Sequence, residues 1–304
     1  MDFGVQTKHH MRNYRRIAPN ARDPGAKFSR ADTLLSMYGL GEPLDSLVLK
    51  VERAQKHILE LEAEYTSYRK ERPYRIDFRT DPQTHSRIYY LADAKPIPKS
   101  FSPILGDALN NLRSCLDHAV YAMVQVGQPK AIKPSDIYFP IVSGSAAEYN
   151  SRFQRTKAGL RQDAINAINS VAPYMGGAGE YYCHLAQLNN VDKHRLLLTI
   201  WGSFEGHTML PSQRQWVADF HGKDPSEFRH SFMAKNPRIH PLQIGDELLT
   251  VAEAEVEENM QFMINIAFAE PEIAKGNPVI ETLYEMAKII RHQIFDFDRA
   301  GLFR

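Results

Sequence analysis

The chain has 304 residues, 43% hydrophobic and 24% charged, with two cysteines and a net charge of +1. That is enough chain to bury a core without disulfide or metal staples. Cys115 and Cys183 have no metal-ligand spacing, so a reducing, cytoplasmic setting is the expectation. No stretch approaches the roughly eighteen apolar residues that a membrane span needs, and residues 1–30 lack the apolar region of a secretory signal.

Charge is placed unevenly. Residues 1–30 carry seven Lys and Arg against Asp2 and Asp23, a net +5, whereas Asp246 to Glu281 carry nine acids against Lys275, a net −8. Arg12, Arg15 and Arg16 beside Tyr14 suit contact with an RNA backbone. A basic terminus of this kind is more often a solvated, flexible arm.

Leu47, Val51, Ala54, Ile58, Leu61 and Tyr65 recur at helical spacing and predict one helix over 44–72, ended by Pro73. Tyr74–Thr80 and Ser86–Ala92 read as a β-hairpin. Leu105, Leu109, Leu112, Leu116, Ala119, Val120 and Met123 share one face of a second helix over 103–126, with Ser102 as N-cap and Pro103 at its first position. Ile137–Val142 reads as a strand, 146–155, 160–171 and 180–194 as helices, and Leu196–Trp201 as a buried strand. Residues 207–242 look like loops with short elements. Glu247–Ala254 and Met260–Phe268 look like paired strands, and 278–297 is the last helix. With no repeat or linker, the chain reads as a basic arm over 1–30 and a single mixed α+β domain over 31–304. Its core is mainly helical, at about 44–195, with a hairpin insertion, a small C-terminal β element and a terminal helix.

The helix at 103–126 carries unusual polar residues. Stepping about 100° per residue, Asp107, Asn111, Ser114 and His118 lie nearly opposite the core face, with Asn110, Arg113, Asp117 and Tyr121 on the flank. Short hydrogen-bonding groups there suit a close-packed interface or a ligand face. They equally suit a helix buried on two sides with its polar groups satisfied internally.

Arg113-Ser114-Cys115-Leu116-Asp117-His118 resembles the Arg-x(4–6)-His signature of the HEPN superfamily. Those are helical domains, many of them metal-independent ribonucleases in toxin, antiphage and CRISPR systems. The resemblance covers about residues 44–195, with the hairpin as an insertion; the hairpin and the 137–142 strand depart from a plain HEPN bundle. It implies RNA as the substrate, with Arg113 and His118 catalytic. His118 would serve as general acid or base and Arg113 would stabilise the phosphorane, with no metal or cofactor. A straight helix places the two about 140° apart, so both face one phosphate only if the Arg reaches around the helix or both copies of a homodimer contribute, as HEPN enzymes commonly arrange.

The chain also resembles an uncharacterised family of bacterial proteins, through Gly106-Asp107-Ala108-Leu109-Asn110-Asn111-Leu112-Arg113 with Leu116-Asp117-His118, and through Leu188-Asn189-Asn190-Val191-Asp192-Lys193-His194-Arg195. That likeness supports the choice of residues and carries no chemistry. Asp192 falls on the apolar side of its helix, so it needs a basic partner, for which Arg113 is the first candidate. Its other reading is a cap or turn residue. Asn110, Asn111, Ser114, Asp117 and His194 are the remaining supporting groups. The other histidines show no metal-ligand spacing, so no metal is expected, and Gly176-Gly177-Ala178-Gly179 reads as a turn. The alternative to RNA cleavage is a non-catalytic binding or scaffold module that homodimerises through the polar helix.

Overall fold

The computed structural model describes residues 43–194, 198–270, 272 and 274–304. Glu42–Arg304 forms one compact unit, and the basic arm with Arg12, Arg15 and Arg16 lies outside the described residues. The fold is α+β and mainly helical, as the pattern predicts.

Two long helices, α1 (Leu44–Lys70) and α2 (Phe101–Val126), pack side by side, joined through the hairpin β1 (Tyr74–Thr80) and β2 (Arg87–Ala94). The apolar residues that recur along α1 are buried, as is every residue expected on the core face of α2. Three short helices follow: α3 (Ala146–Lys157), α4 (Gln162–Val171) and α5 (Glu180–His194). Then come β3 (Ile200–Thr208), α6 (Pro211–His221), β4 (Phe232–Ile239), β5 (Glu247–Val251), β6 (Phe262–Phe268) and the terminal helix α7 (Val279–Arg299). α2 is the centre of the bundle, with α1, α5 and α7 around it.

Both sheets are antiparallel, one ordered β1-β2-β5 and the other β4-β3-β6. β5 and β6 therefore do not pair with each other, contrary to expectation. β5 joins β2 through Arg87↔Val251 and Tyr89↔Leu249, and β6 joins β3 through Ser203↔Asn265. Burial explains the split: Leu248 of β5 packs with Phe204 and Ile264 of the other sheet, with Tyr74, Ile76 and Phe262 around them. Their apolar side chains meet face to face between sheets, a contact that edge-to-edge pairing would lose.

Three local departures have clear causes. α2 starts at Phe101, two residues early, because neither serine caps it: Ser100 Oγ donates to Glu64 at 2.6 Å and Ser102 Oγ to the Leu198 carbonyl at 2.7 Å. Ile137–Val142 forms no strand, only an isolated bridge from Val142 to Tyr174. The 207–242 stretch holds a full helix and a strand. α6 escapes the pattern because it buries Arg214 and Ala218 while Trp216 and Phe220 face outward, 67% and 77% exposed. β4 escapes it because it is an edge strand interrupted by Pro237.

Candidate functional site

The polar side of α2 divides into two parts with different fates. On the flank, Arg113 Nη1 donates to Asp117 Oδ1 at 2.6 Å and Nη2 donates to the Phe139 carbonyl at 3.1 Å. The Phe139 N–H donates to the same Asp117 oxygen at 2.8 Å. Both backbone groups of Phe139 are thus satisfied by side chains from α2, and Phe139 itself is fully buried. This explains why the 137–142 segment needs no neighbouring strand. Burial pulls the Arg113 pKa down, Asp117 pushes it back up, and nearby Arg152 adds to the depression.

The outward stripe is different. Asp107, Asn110 and His118 are exposed, and Asn111 and Ser114 are half-buried. Asn111 Nδ2 donates to the Asp107 carbonyl at 2.8 Å and Ser114 Oγ to the Asn110 carbonyl at 2.6 Å, so both bond back to their own helix. Tyr121, assigned to the flank by helical stepping, stands two turns beyond Ser114 and is 54% exposed, so it extends the outward stripe. Arg113 and His118 do not converge within one chain: the first turns in to Phe139, and the second points to solvent.

Asp192 does not pair with Arg113, whose two terminal nitrogens donate to Asp117 and to the Phe139 carbonyl. Its carboxylate instead lies against the backbone of α2 at Gly106. A Cβ on Gly106 would meet Asp192 Oδ1 at 2.3 Å and Oδ2 at 2.7 Å, so this approach requires glycine. Gly106 against Asp192 places the last turn of α5 beside the first turns of α2. Burial raises the Asp192 pKa, Asp107 raises it further, and Lys193 opposes them. One turn earlier on α5, Asn189 is 2% exposed and its Oδ1 has no hydrogen-bond partner among the described residues. His194 ends α5, and its side chain lies outside the described residues.

Among the described residues, no three His, Cys, Asp or Glu side chains gather as a set of metal ligands. An open groove of about 580 Å³ lies between α1 and the connector into α2, lined by Glu64, Tyr68, Glu71, Lys95 and Phe101. It includes none of Arg113, His118 or Asp192. Gly176 has a φ of +79°, a left-handed turn position. Both cysteines are buried and free, and burial pushes each thiol's pKa up to about 12. No described helix is long and apolar enough to cross a membrane.

Sequence reading missed Phe139 and Gly106 as members of the site. The i, i+4 spacing of Arg113 and Asp117 signals their pairing; nothing local signals that a loop 26 residues away completes it. Gly106 stood in a quoted segment, yet its role depends on α5. Comparison of the chain with protein-family models, curated proteins and solved structures found no match.

Proposed function

We propose that the chain is a non-catalytic binding module that self-associates through the outward stripe of α2. The observation that carries this reading is the commitment of Arg113 to Asp117 and Phe139 inside its own subunit. Held there, the guanidinium positions a loop, and both of its terminal nitrogens already donate within the subunit. The stripe beside it is suited to close contact. Its serine and asparagine bond to their own helix, so burying them leaves few donors unmade, and Tyr121 offers a large anchor of the kind enriched at interfaces. A two-fold contact would use this stripe twice. Light scattering should give twice the chain mass, and Tyr121→Glu should give the mass of one chain with an unchanged circular-dichroism spectrum and a melting temperature that no longer depends on concentration. A wild-type chain that is monomeric at tens of micromolar would refute the proposal.

Metal-independent RNA cleavage of the HEPN type is the second reading, favoured by one feature. His118 is exposed and makes no hydrogen bond or ion pair with a described residue, which leaves its imidazole open to a substrate. On this reading the exposed cation beside the Arg113 flank is Arg152, which stacks on Tyr138 at 5.5 Å. Incubation with RNA in EDTA, beside His118→Ala, separates the readings. Cleavage that vanishes in the variant would establish the enzyme and overturn the module; intact RNA in both samples would sink the enzyme.

A further inference from the structure

Six described side chains bury a polar nitrogen or oxygen that has no hydrogen-bond partner among the described residues, and three of them stand at alternate positions on one strand: Trp201 Nε1, Ser203 Oγ and Glu205 Oε1 of β3. Alternation puts Trp201 and Ser203 on one face of the sheet. The pairing Ser203↔Asn265 puts Asn265 there too. Glu205 is the extra residue where the register of β3 shifts between Phe204 and Gly206. Asn265 Nδ2 donates to Glu205 Oε2 at 2.9 Å, which brings the carboxylate to the same face. Tyr65 of α1 completes the surround, its hydroxyl 3.2 Å from both Asn265 Oδ1 and the Ile264 carbonyl.

A hydrogen-bonded chain thus runs from Tyr65 through Asn265 to Glu205 and stops there. Arg238 lies 3.6 Å from Oε1, close enough for charge attraction and too far for a hydrogen bond. Ser203 is fully buried and Glu205 is 6% exposed, so bulk solvent does not satisfy them. Buried polar atoms are almost always hydrogen-bonded, to protein or to ordered water.

We infer that this face of β3 is an internal hydration site, with one ordered water bonded to Ser203 Oγ and Glu205 Oε1 and a second at Trp201 Nε1. One occupant must donate to a carboxylate and the other must accept from an indole N–H, and water does both. A cation would answer Glu205 but would oppose the Trp201 N–H, and Arg238 already supplies the positive charge. The water extends the Tyr65–Asn265–Glu205 chain, whose Tyr65–Asn265 bond ties the second sheet to α1.

The full chain has two tryptophans, and Trp216 is 67% exposed, so their indole protons report separately. Water-to-protein NOE and ROE spectra should show a cross-peak at the Trp201 indole proton with the sign of long-lived water. Trp216 should show only rapid exchange. A high-resolution crystal structure should place density within hydrogen-bonding distance of both Ser203 Oγ and Glu205 Oε1. Ser203→Ala removes one partner without adding bulk, and should lose that density while keeping the Trp201 cross-peak. Protein groups bonded directly to all three atoms, or a Trp201 proton without the long-lived cross-peak, would overturn the inference.

Discussion

Removing either member of the Arg113–Asp117 pair should destabilise the fold, and the two losses should differ. Asp117→Ala leaves a guanidinium whose side chain is only 15% exposed, and orphans the Phe139 N–H as well. Breaking a fully buried pair costs about 3–5 kcal/mol; solvent reaches both partners here, so we expect about 3 kcal/mol. Arg113→Ala leaves Asp117, which is 33% exposed, still accepts from Phe139 and can hydrate. The charge-assisted bonds lost are worth about 1.5–3 kcal/mol, so a cost near 2 kcal/mol follows. At about 2–4 °C per kcal/mol for a domain of this size, Asp117→Ala should lower Tm by about 6–12 °C and Arg113→Ala by about 4–8 °C. The double variant should cost less than the sum, because the residues share one network. His118→Ala, at an exposed position, should stay within about 0.5 kcal/mol of wild type. Urea unfolding and thermal melts of the four variants measure all of this. An Arg113→Ala chain as stable as wild type would refute the clamp, and would restore the reading in which Arg113 is held ready for a ligand.

Three further outcomes follow from the same geometry. Asp192→Asn should be more stable than wild type at neutral pH. Its folded pKa is raised by burial and Asp107, so the charged form is the unfavourable one; the advantage should shrink as pH falls through that raised value into the ordinary carboxylate range. Melts across that range would show it, and a constant difference would contradict it. Gly106→Ala should destabilise the chain in the presence of Asp192, whose oxygens occupy the Cβ position. In an Asp192→Ala background the same change should be neutral or stabilising by up to about 1 kcal/mol, the helical preference of Ala over Gly. Gly206→Ala should cost about 1–3 kcal/mol, because its Cβ would lie 2.3 Å from the Met233 carbonyl of β4; hydrogen exchange should speed up selectively at the β3–β4 ladder.

How much of this was legible in the chain follows from where each element finds its partners. α1, α2, α5 and α7 bury apolar residues at helical spacing, so periodicity reveals them to within a few residues. α6 buries an arginine paired with Glu257, Nη1 to Oε2 at 2.8 Å, and shows its aromatics to solvent. Periodicity there points the wrong way. The hairpin was legible because its strands are neighbours in sequence and Asp81 orders its turn, accepting from the Gln83 and Thr84 N–H groups. β5 and β6 are also close in sequence, but each answers to a different sheet.

Helical stepping by itself set the flank of α2 apart from its outward face; that the flank closes on Phe139 was not legible, nor that Asn110 and Tyr121 stand exposed with the outward stripe. The sequence by itself determined the helical core, the α+β class and which side of α2 is apolar, because those depend on local propensity and on the spacing of apolar groups. Only the tertiary structure decided that Arg113 answers to Phe139, that Asp192 rests on Gly106, and that Glu205 is buried beside Asn265. Each of those depends on the direction of a side chain and on a distant segment arriving within about 3 Å, the range over which hydrogen bonds act.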